Sequence, residues 1–185
     1  MASSWKKRLI AQSDLQTLSD QLKTKGKRVV FTAGSWDLIH AGQCRYLERA
    51  KEYGDVLVVG VSSNAAIKRV KGPNKPILDE NIRAEMLTFL RSVDFVTILP
   101  EPSCVPTLGL LQPNTFVTVK EDWTADYKTS KEYATVTRYG GEVVVVDRQS
   151  TSISTTQILQ RAIGGHLSDV LKDFMQYRKD PLKEK

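Results

Sequence analysis

The chain has 185 residues, of which 41% are hydrophobic and 26% charged, a composition that excludes collagen-like, disordered and membrane-embedded classes. Its net charge of +6 lies at the ends, because residues 1–28 carry seven Lys and Arg against two Asp whereas residues 29–171 carry 15 against 16. Lys-rich ends are typical of solvated tails, so we expect no nucleic-acid partner. The two cysteines lack ligand spacing, and no apolar run approaches the roughly 18 residues of a spanning helix. We therefore expect a cytoplasmic protein with no structural metal and no membrane partner.

Short β-branched runs alternate with amphipathic stretches along the chain, a pattern typical of βα units around a parallel sheet. The predicted strands cover residues 28–32, 56–61, 95–99, 115–119 and 142–146. Most of their interior positions are apolar in succession, as expected for strands covered by helices on both faces. We predict one α/β domain over residues 1–185, a Rossmann-like three-layer sandwich with a five-stranded, mostly parallel sheet.

The helices are predicted from apolar spacing and from cap residues. A leading helix within residues 1–27 starts at a Ser13 cap and ends before Gly26, and further helices follow near residues 41–53, 79–92 and 130–139. Ser154 is predicted to cap a helix that ends near residue 162, before Gly164-Gly165. A last helix near 167–177 and a basic tail complete residues 164–185. The loop KGPNKPI, residues 71–77, is predicted to lie on the surface near the functional site.

The first βα turn is the most informative segment for function. The strand ends at Thr32, and a helix opens close to His40. In an open α/β sheet, ligands bind outside the carboxyl ends of the strands, where turn and helix N–H groups can hold an anion. Gly34 and Gly42 would let the backbone approach a phosphate, and His40 could donate a hydrogen bond to it. The spacing alone is equally consistent with a turn glycine and a helix-cap histidine.

Four segments and one helix arginine resemble a known family. GSWDLIHAGQ, residues 34–43, resembles the G-x-F-D-x-x-H-x-G-H signature of cytidylyltransferase-like nucleotidyltransferases. KGPNKPI, Arg83 and SVDFV resemble K-G-P-x-R-P-I, a helix Arg and x-V-D-x-V in the adenylyltransferase domain of ADP-heptose synthases. ISTT, residues 153–156, matches a helix start shared by that domain and glycerol-3-phosphate cytidylyltransferase.

This resemblance implies that an NTP and a phosphorylated small molecule react to give a nucleotide-linked product and pyrophosphate. ATP is favoured as the NTP and heptose 1-phosphate as the acceptor. The resemblance also implies Mg²⁺ carried by the NTP, with no metal site built from protein side chains, and a homodimer. By their positions in the motifs, the resemblance assigns catalytic roles to His40, Lys71 and Gln43. It assigns nucleotide binding to Ala33, Gly34, Ser35, Trp36, Asp37, Gly42, Arg83, Ser154, Thr155 and Thr156.

Departures from the motifs keep alternatives open. Gln43 replaces the family's second histidine and cannot carry a positive charge or transfer a proton, so a nucleotide-binding protein with weak or no catalysis is one alternative. Trp36 replaces a Phe, which preserves an aromatic face. The segment 121–123, EDW, resembles the D-D-W of glycerol-3-phosphate cytidylyltransferase, so a cytidylyltransferase acting on a polyol phosphate is another alternative. Asp37 either caps the turn or orients His40.

Overall fold

The protein is represented by a computed structural model that describes residues 4–120, 123, 126–147 and 153–179. Five strands form one sheet in the order β3-β2-β1-β4-β5, and every neighbouring pair is parallel. The strands are β1 Val29–Gly34, β2 Val56–Ser62, β3 Phe95–Leu99, β4 Thr115–Val119 and β5 Glu142–Val146. The predicted fold class is confirmed, and the strand bounds differ from the prediction chiefly in β1, which continues to Gly34.

Helices cover both faces of the sheet. Seven α-helices lie within the described residues: α1 Leu15–Thr24, α2 Ala41–Lys51, α3 Asn64–Lys71, α4 Glu80–Thr88, α5 Val105–Leu111, α6 Lys131–Arg138 and α7 Thr155–Lys179. Val29 and Phe31 of β1 pack in a core with α1, α5 and α6. Val30 points to the opposite face and packs in a core with α2 and α4. Because successive strand residues face opposite sides, both faces of β1 are apolar and buried.

The strand order places a crevice next to β1. The chain builds outward from β1 through β2 to β3, and then returns to the other side of β1 to form β4 and β5. Neighbouring connections therefore diverge between β1 and β4, beyond their carboxyl ends. Such a switch point is where open α/β sheets bind ligands.

The basic N-terminal end is folded, which corrects the expectation of a solvated tail. Residues 4–12, here called the N-terminal strap, run along the outer edge of β3, where Ile10 N donates to Val96 O at 2.9 Å. The Arg8 guanidinium donates to Thr88 O at 2.8 Å and to Val93 O at 3.2 Å. The strap stays in place because the sheet edge offers it free backbone groups and the carbonyls hold its arginine.

Several predicted helix bounds were wrong. Helix α1 begins at Leu15, after a 3₁₀ turn, and Ser13 does not cap its N-terminus. Helix α7 runs without a break through Gly164-Gly165, because a helix interior tolerates glycine at a cost of about 1 kcal/mol relative to alanine. Helices α3 and α5 were not predicted, since each is short. Within the described residues, no helix combines the length and the apolar character needed to cross a bilayer.

Candidate active site

A cavity of about 350 Å³ opens at the carboxyl ends of β1 and β4. This volume lies at the lower end of the range for small-molecule sites. Its lining combines the first βα turn, the start of α2, the end of α3 and the start of α7. The lining residues are Ala33, Gly34, Ser35, Trp36, Asp37, His40, Gly42, Gln43, Tyr46, Ile67, Lys71, Lys75, Val119, Ile153, Ser154, Thr155 and Thr156. All of the residues assigned from the sequence are brought together here except Arg83.

The turn after β1 is shaped by a buried tryptophan. Trp36 has a left-handed backbone with φ of 53°, and its indole N–H donates to Gly60 O at 2.9 Å. A Cβ at position 34 would lie 3.0 Å from the Trp36 ring, so any larger residue there would require the ring to shift. Trp36 is 6% exposed, and its ring lies 6.0 Å from that of Tyr46.

Gln43 has a structural role that the sequence comparison with the motif did not suggest. His40 is the N-cap residue of α2, and Gln43 is the third residue of that helix. The Gln43 Oε1 atom accepts a hydrogen bond from the His40 backbone N–H at 3.1 Å. A glutamine at this position closes the helix start as in a capping box. The side chain that replaces the family's second histidine therefore fixes the backbone of the first histidine.

Asp37 joins three segments that border the cavity. Its carboxylate accepts hydrogen bonds from the backbone N–H groups of Ile77 at 2.8 Å and Leu78 at 3.0 Å. Its carbonyl oxygen accepts a hydrogen bond from Thr155 Oγ1 at 2.6 Å. In addition to the two alternatives of capping its own turn and orienting His40, Asp37 has a third role, which is to hold the loop before α4 and the start of α7 against the turn.

Arg83 lies behind the cavity wall, in contrast to its predicted contact with nucleotide. The residue is 1% exposed, and its guanidinium donates to Leu78 O at 2.9 Å, to Asn64 Oδ1 at 3.0 Å and to Ser35 O. Burial lowers the pKa of the guanidinium, and the nearby Asp37 carboxylate opposes that shift. The arginine is placed to hold the turn, α3 and the loop before α4 together.

Two lysines reach the cavity from α3 and the loop after it. The Lys71 ammonium donates to Ser35 Oγ at 2.9 Å. Lys75 also lines the cavity, although the sequence reading did not assign it. Its position four residues after Lys71, in the loop that follows α3, was the available signal. The two ammonium groups add positive charge to the lining beside the His40 imidazole.

Tyr46 was also missed as a lining residue. Its hydroxyl donates to Val117 O at 3.0 Å and lies 2.7 Å from Thr32 Oγ1. The side chain is 8% exposed, so its phenol ring forms a floor that ties α2 to β1 and β4. Helical spacing predicts it, because position 46 lies one turn after Gln43 on α2.

The start of α7 forms the wall opposite His40. Ser154 Oγ accepts a hydrogen bond from Gln157 N at 3.2 Å, which is the predicted cap. Thr155 is held by its bond to Asp37, and Thr156 is exposed at the cavity rim. Of the EDW segment, residues 121 and 122 lie outside the described residues, and Trp123 does not line the cavity.

The donor set of the cavity does not resemble a protein cage for a divalent cation. Over the part of the chain that the structure describes, no group of three or more His, Cys, Asp or Glu side chains comes together. The Asp37 carboxylate in the lining already accepts two N–H groups. Mg²⁺ usually keeps several waters and is bound through substrate phosphates, so this lining fits an ion that a nucleotide brings with it.

Comparison with known proteins identifies the family to which the chain belongs. The cytidylyltransferase-like family model matches residues 31–161. The bifunctional protein HldE of Geotalea uraniireducens is 40% identical over 147 residues, 80% of this chain and 29% of that protein. HldE of Syntrophotalea carbinolica is 35% identical over 152 residues, 82% of this chain and 30% of that protein. The chain thus spans about 30% of the length of these relatives.

Solved structures show the same fold. A lipopolysaccharide core biosynthesis protein from Thermoplasma volcanium superposes with a TM-score of 0.56 at 28% identity, over 66% of this chain and 97% of that one. A pantoate-beta-alanine ligase from Francisella tularensis, at 13% identity and a TM-score of 0.50, shares the fold alone over 78% of this chain and 68% of that one. Residues 31–161, which the family model matches, include the whole first βα turn and the start of α7. The chain belongs to the cytidylyltransferase-like family.

Proposed function

We propose that this chain transfers AMP from ATP to a sugar phosphate, with heptose 1-phosphate as the favoured acceptor, and releases pyrophosphate. The observation that carries this proposal is the lining of the cavity. His40, Lys71 and Lys75 converge there, and the helices α2 and α7 begin there. A concave site with this charge suits a polyphosphate bound beside a second phosphate.

The two helix starts contribute backbone N–H groups in addition to the side chains. The first turn of a helix has N–H groups without intrahelical partners, and the helix dipole favours an anion nearby. Gly42 comes from the first turn of α2, where the Gln43 N–H already donates to His40 O at 2.9 Å, while Thr155 and Thr156 begin α7. Both starts border one cavity, so a triphosphate that lies between them would be held from two sides.

The reaction requires no covalent enzyme intermediate. An oxygen of the acceptor phosphate forms a bond to the α-phosphorus of ATP while the bond between that phosphorus and the bridging oxygen breaks. Pyrophosphate leaves with the bond electrons. His40 would donate a hydrogen bond to the charge that develops on the triphosphate, and Lys71 and Lys75 would neutralise phosphate oxygens. Mg²⁺ would enter as part of the nucleotide substrate and shield its phosphate charge.

The choice of acceptor rests on the motifs and on the relatives. KGPNKPI resembles a segment of the adenylyltransferase domain of ADP-heptose synthases, whereas ISTT is shared with glycerol-3-phosphate cytidylyltransferase and does not distinguish the two acceptors. The solved neighbour at 28% identity is described as a lipopolysaccharide core biosynthesis protein. KGPNKPI and this neighbour favour a sugar phosphate over a polyol phosphate. The EDW segment favours the polyol phosphate, so CTP with glycerol 3-phosphate is the matched alternative.

The test is pyrophosphate release by the purified chain with Mg²⁺. ATP, CTP, GTP and UTP are each combined with heptose 1-phosphate, glycerol 3-phosphate and other sugar phosphates. We expect the highest kcat/KM for ATP with heptose 1-phosphate. His40→Ala should lower kcat by about 10²- to 10³-fold, in line with the loss of one donor to a developing charge. The matched control is His166→Ala, because His166 is exposed on α7 and does not line the cavity.

Other results would replace the proposal. Preference for CTP with glycerol 3-phosphate would assign the cytidylyltransferase alternative. If no pair gives turnover although ATP binds, the Gln43→His variant should be assayed with the same panel. Turnover in that variant alone would show that Gln43 leaves the natural chain a nucleotide-binding protein.

A further inference from the structure

One hydrogen bond ties the Lys71 side chain to the first βα turn. The Lys71 ammonium donates to Ser35 Oγ at 2.9 Å, across 36 residues of sequence. Lys71 is the last residue of α3 and is otherwise exposed, although it lines the cavity. An exposed lysine side chain can adopt many rotamers, so a single fixed partner decides where its ammonium lies.

The partner of this ammonium is itself held in place. The Ser35 carbonyl oxygen accepts a hydrogen bond from the buried Arg83 guanidinium. The same guanidinium donates to Asn64 Oδ1 at 3.0 Å, and Asn64 is the first residue of α3. One arginine therefore holds both the turn that carries Ser35 and the helix that carries Lys71. The bond between these two side chains joins backbone segments that are already fixed relative to each other.

The family signature does not require a hydroxyl at position 35. The motif G-x-F-D-x-x-H-x-G-H leaves its second position open, and Ser35 occupies that position. Lys71, in contrast, matches the specified lysine of K-G-P-x-R-P-I. The pairing of a motif lysine with a hydroxyl at an open position is therefore a property of this chain that the motifs alone do not contain.

We propose that Ser35 is a positioning residue, which holds the Lys71 ammonium in the cavity before the phosphates bind. The inference rests on the proposed function, in which Lys71 neutralises phosphate oxygens. An ammonium has three N–H donors, so the bond to Ser35 leaves two of them for phosphate. A cation that is already in place loses less side-chain freedom when substrate binds and is aligned when charge develops on the triphosphate.

A double-mutant cycle on pyrophosphate release tests the proposal. With the NTP and acceptor pair that turns over fastest, Ser35→Ala should lower kcat at least about tenfold, as for the loss of one hydrogen bond to a charged group. The same substitution in a Lys71→Met chain should lower kcat less than about twofold, because the ammonium that Ser35 holds is gone. In a Lys75→Met chain it should keep its full effect. Ser35→Thr retains the hydroxyl and should recover most of the lost kcat.

Thermal stability separates a positioning role from a structural one. Ser35→Ala removes the hydroxyl but leaves the carbonyl that accepts from Arg83, so the Tm should stay within about 3 °C of the natural value. Ser13→Ala is the matched control, because the exposed Ser13 hydroxyl bonds to the neighbouring Asp14 and does not line the cavity. The control should change neither kcat nor Tm. A much larger fall in Tm for Ser35→Ala would assign the hydroxyl to the fold and overturn the proposal.

A measurement without substrate keeps this test separate from the test of the reaction. Nuclear magnetic resonance of the ¹⁵N-labelled full chain follows the Lys71 ammonium, which is assigned by its loss in Lys71→Met. The order parameter of this ammonium should fall in Ser35→Ala and be retained in Ser35→Thr. If that result is obtained and no substrate pair gives turnover, the proposed reaction fails while the positioning of Lys71 stands.

Two further results would overturn the proposal. An ammonium that is as mobile in the natural chain as in Ser35→Ala would show that the hydrogen bond does not fix it. An equal loss of kcat from Ser35→Ala in the natural and Lys71→Met chains would show that the hydroxyl acts on substrate directly and not through Lys71.

Discussion

Replacement of Arg83 tests whether this arginine builds the site or binds substrate. Arg83→Met keeps a long apolar side chain but removes three hydrogen bonds, to Leu78 O, Ser35 O and Asn64 Oδ1. It also leaves the buried Asp37 carboxylate without the nearby positive charge. Removing one partner from a buried charged network typically costs 3–5 kcal/mol. We therefore expect the free energy of unfolding to fall by about 4 kcal/mol.

Urea denaturation followed by circular dichroism measures this change. Thermal denaturation followed in the same way reports the change as a Tm. For a chain of this size, a loss of 1 kcal/mol lowers the Tm by roughly 2–4 °C, so the Tm should fall by about 8–16 °C. Arg91→Met is the matched control, because the Arg91 side chain is 92% exposed and its ion pair with Glu48 lies on the surface. Surface pairs contribute little, and the control should stay within about 0.5 kcal/mol of the natural chain.

The alternative, that Arg83 contacts nucleotide, predicts the opposite division of effects. The variant would then unfold at nearly the natural urea concentration and lose pyrophosphate release. A loss of stability below about 1 kcal/mol together with a large rise in KM for ATP would refute the structural role. Arg83→Lys keeps the charge but not the planar donor geometry, so it should still lose at least about 2 kcal/mol.

Two other predictions concern Gln43 and the cysteines. Gln43→Glu retains the oxygen that accepts the hydrogen bond from the His40 N–H but adds a negative charge to the cavity. The Tm should therefore change by less than about 3 °C, while KM for ATP should rise at least about tenfold. An unchanged KM would place the triphosphate elsewhere. Burial, with a smaller contribution from nearby Glu132, raises the pKa of the Cys104 thiol to about 12, so its reactive thiolate is absent at pH 8. Mass spectrometry after iodoacetamide treatment at pH 8 should therefore find a label on the half-buried Cys44 alone in native protein and on both cysteines in urea. Labelling of Cys104 in the native state would contradict its burial.

The sheet could be predicted because its cause is local. Runs such as VLVVGV and EVVVV are short, rich in β-branched residues and apolar at successive positions, which favours strands of a sheet covered by helices. The ends of helices were harder to predict than the strands, because a single Gly164-Gly165 pair favours a helix break only weakly. The apolar side chains on both sides of that pair continue the same helical face.

The roles of individual site residues depended on partners far away in sequence. Arg83 bonds to the carbonyl of Ser35, which is 48 residues away, and Asp37 bonds to the backbone 40 and 41 residues away. A motif identifies such residues as a group but does not distinguish one that faces the cavity from one that supports its wall. Gln43 illustrates the same limit, since its bond to His40 follows from helix geometry and not from the family pattern.

The N-terminal strap has a consequence for solubility. β3 is an outer strand, and an uncovered outer strand presents N–H and C=O groups to which a strand of another chain can add. Ile10 and Gln12 already occupy part of that row, with bonds to Val96 O and Ile98 O. A shortened chain that begins after residue 12 would expose this edge and lose the Arg8 anchor. Trimming the basic end to simplify purification would therefore promote aggregation through sheet edges.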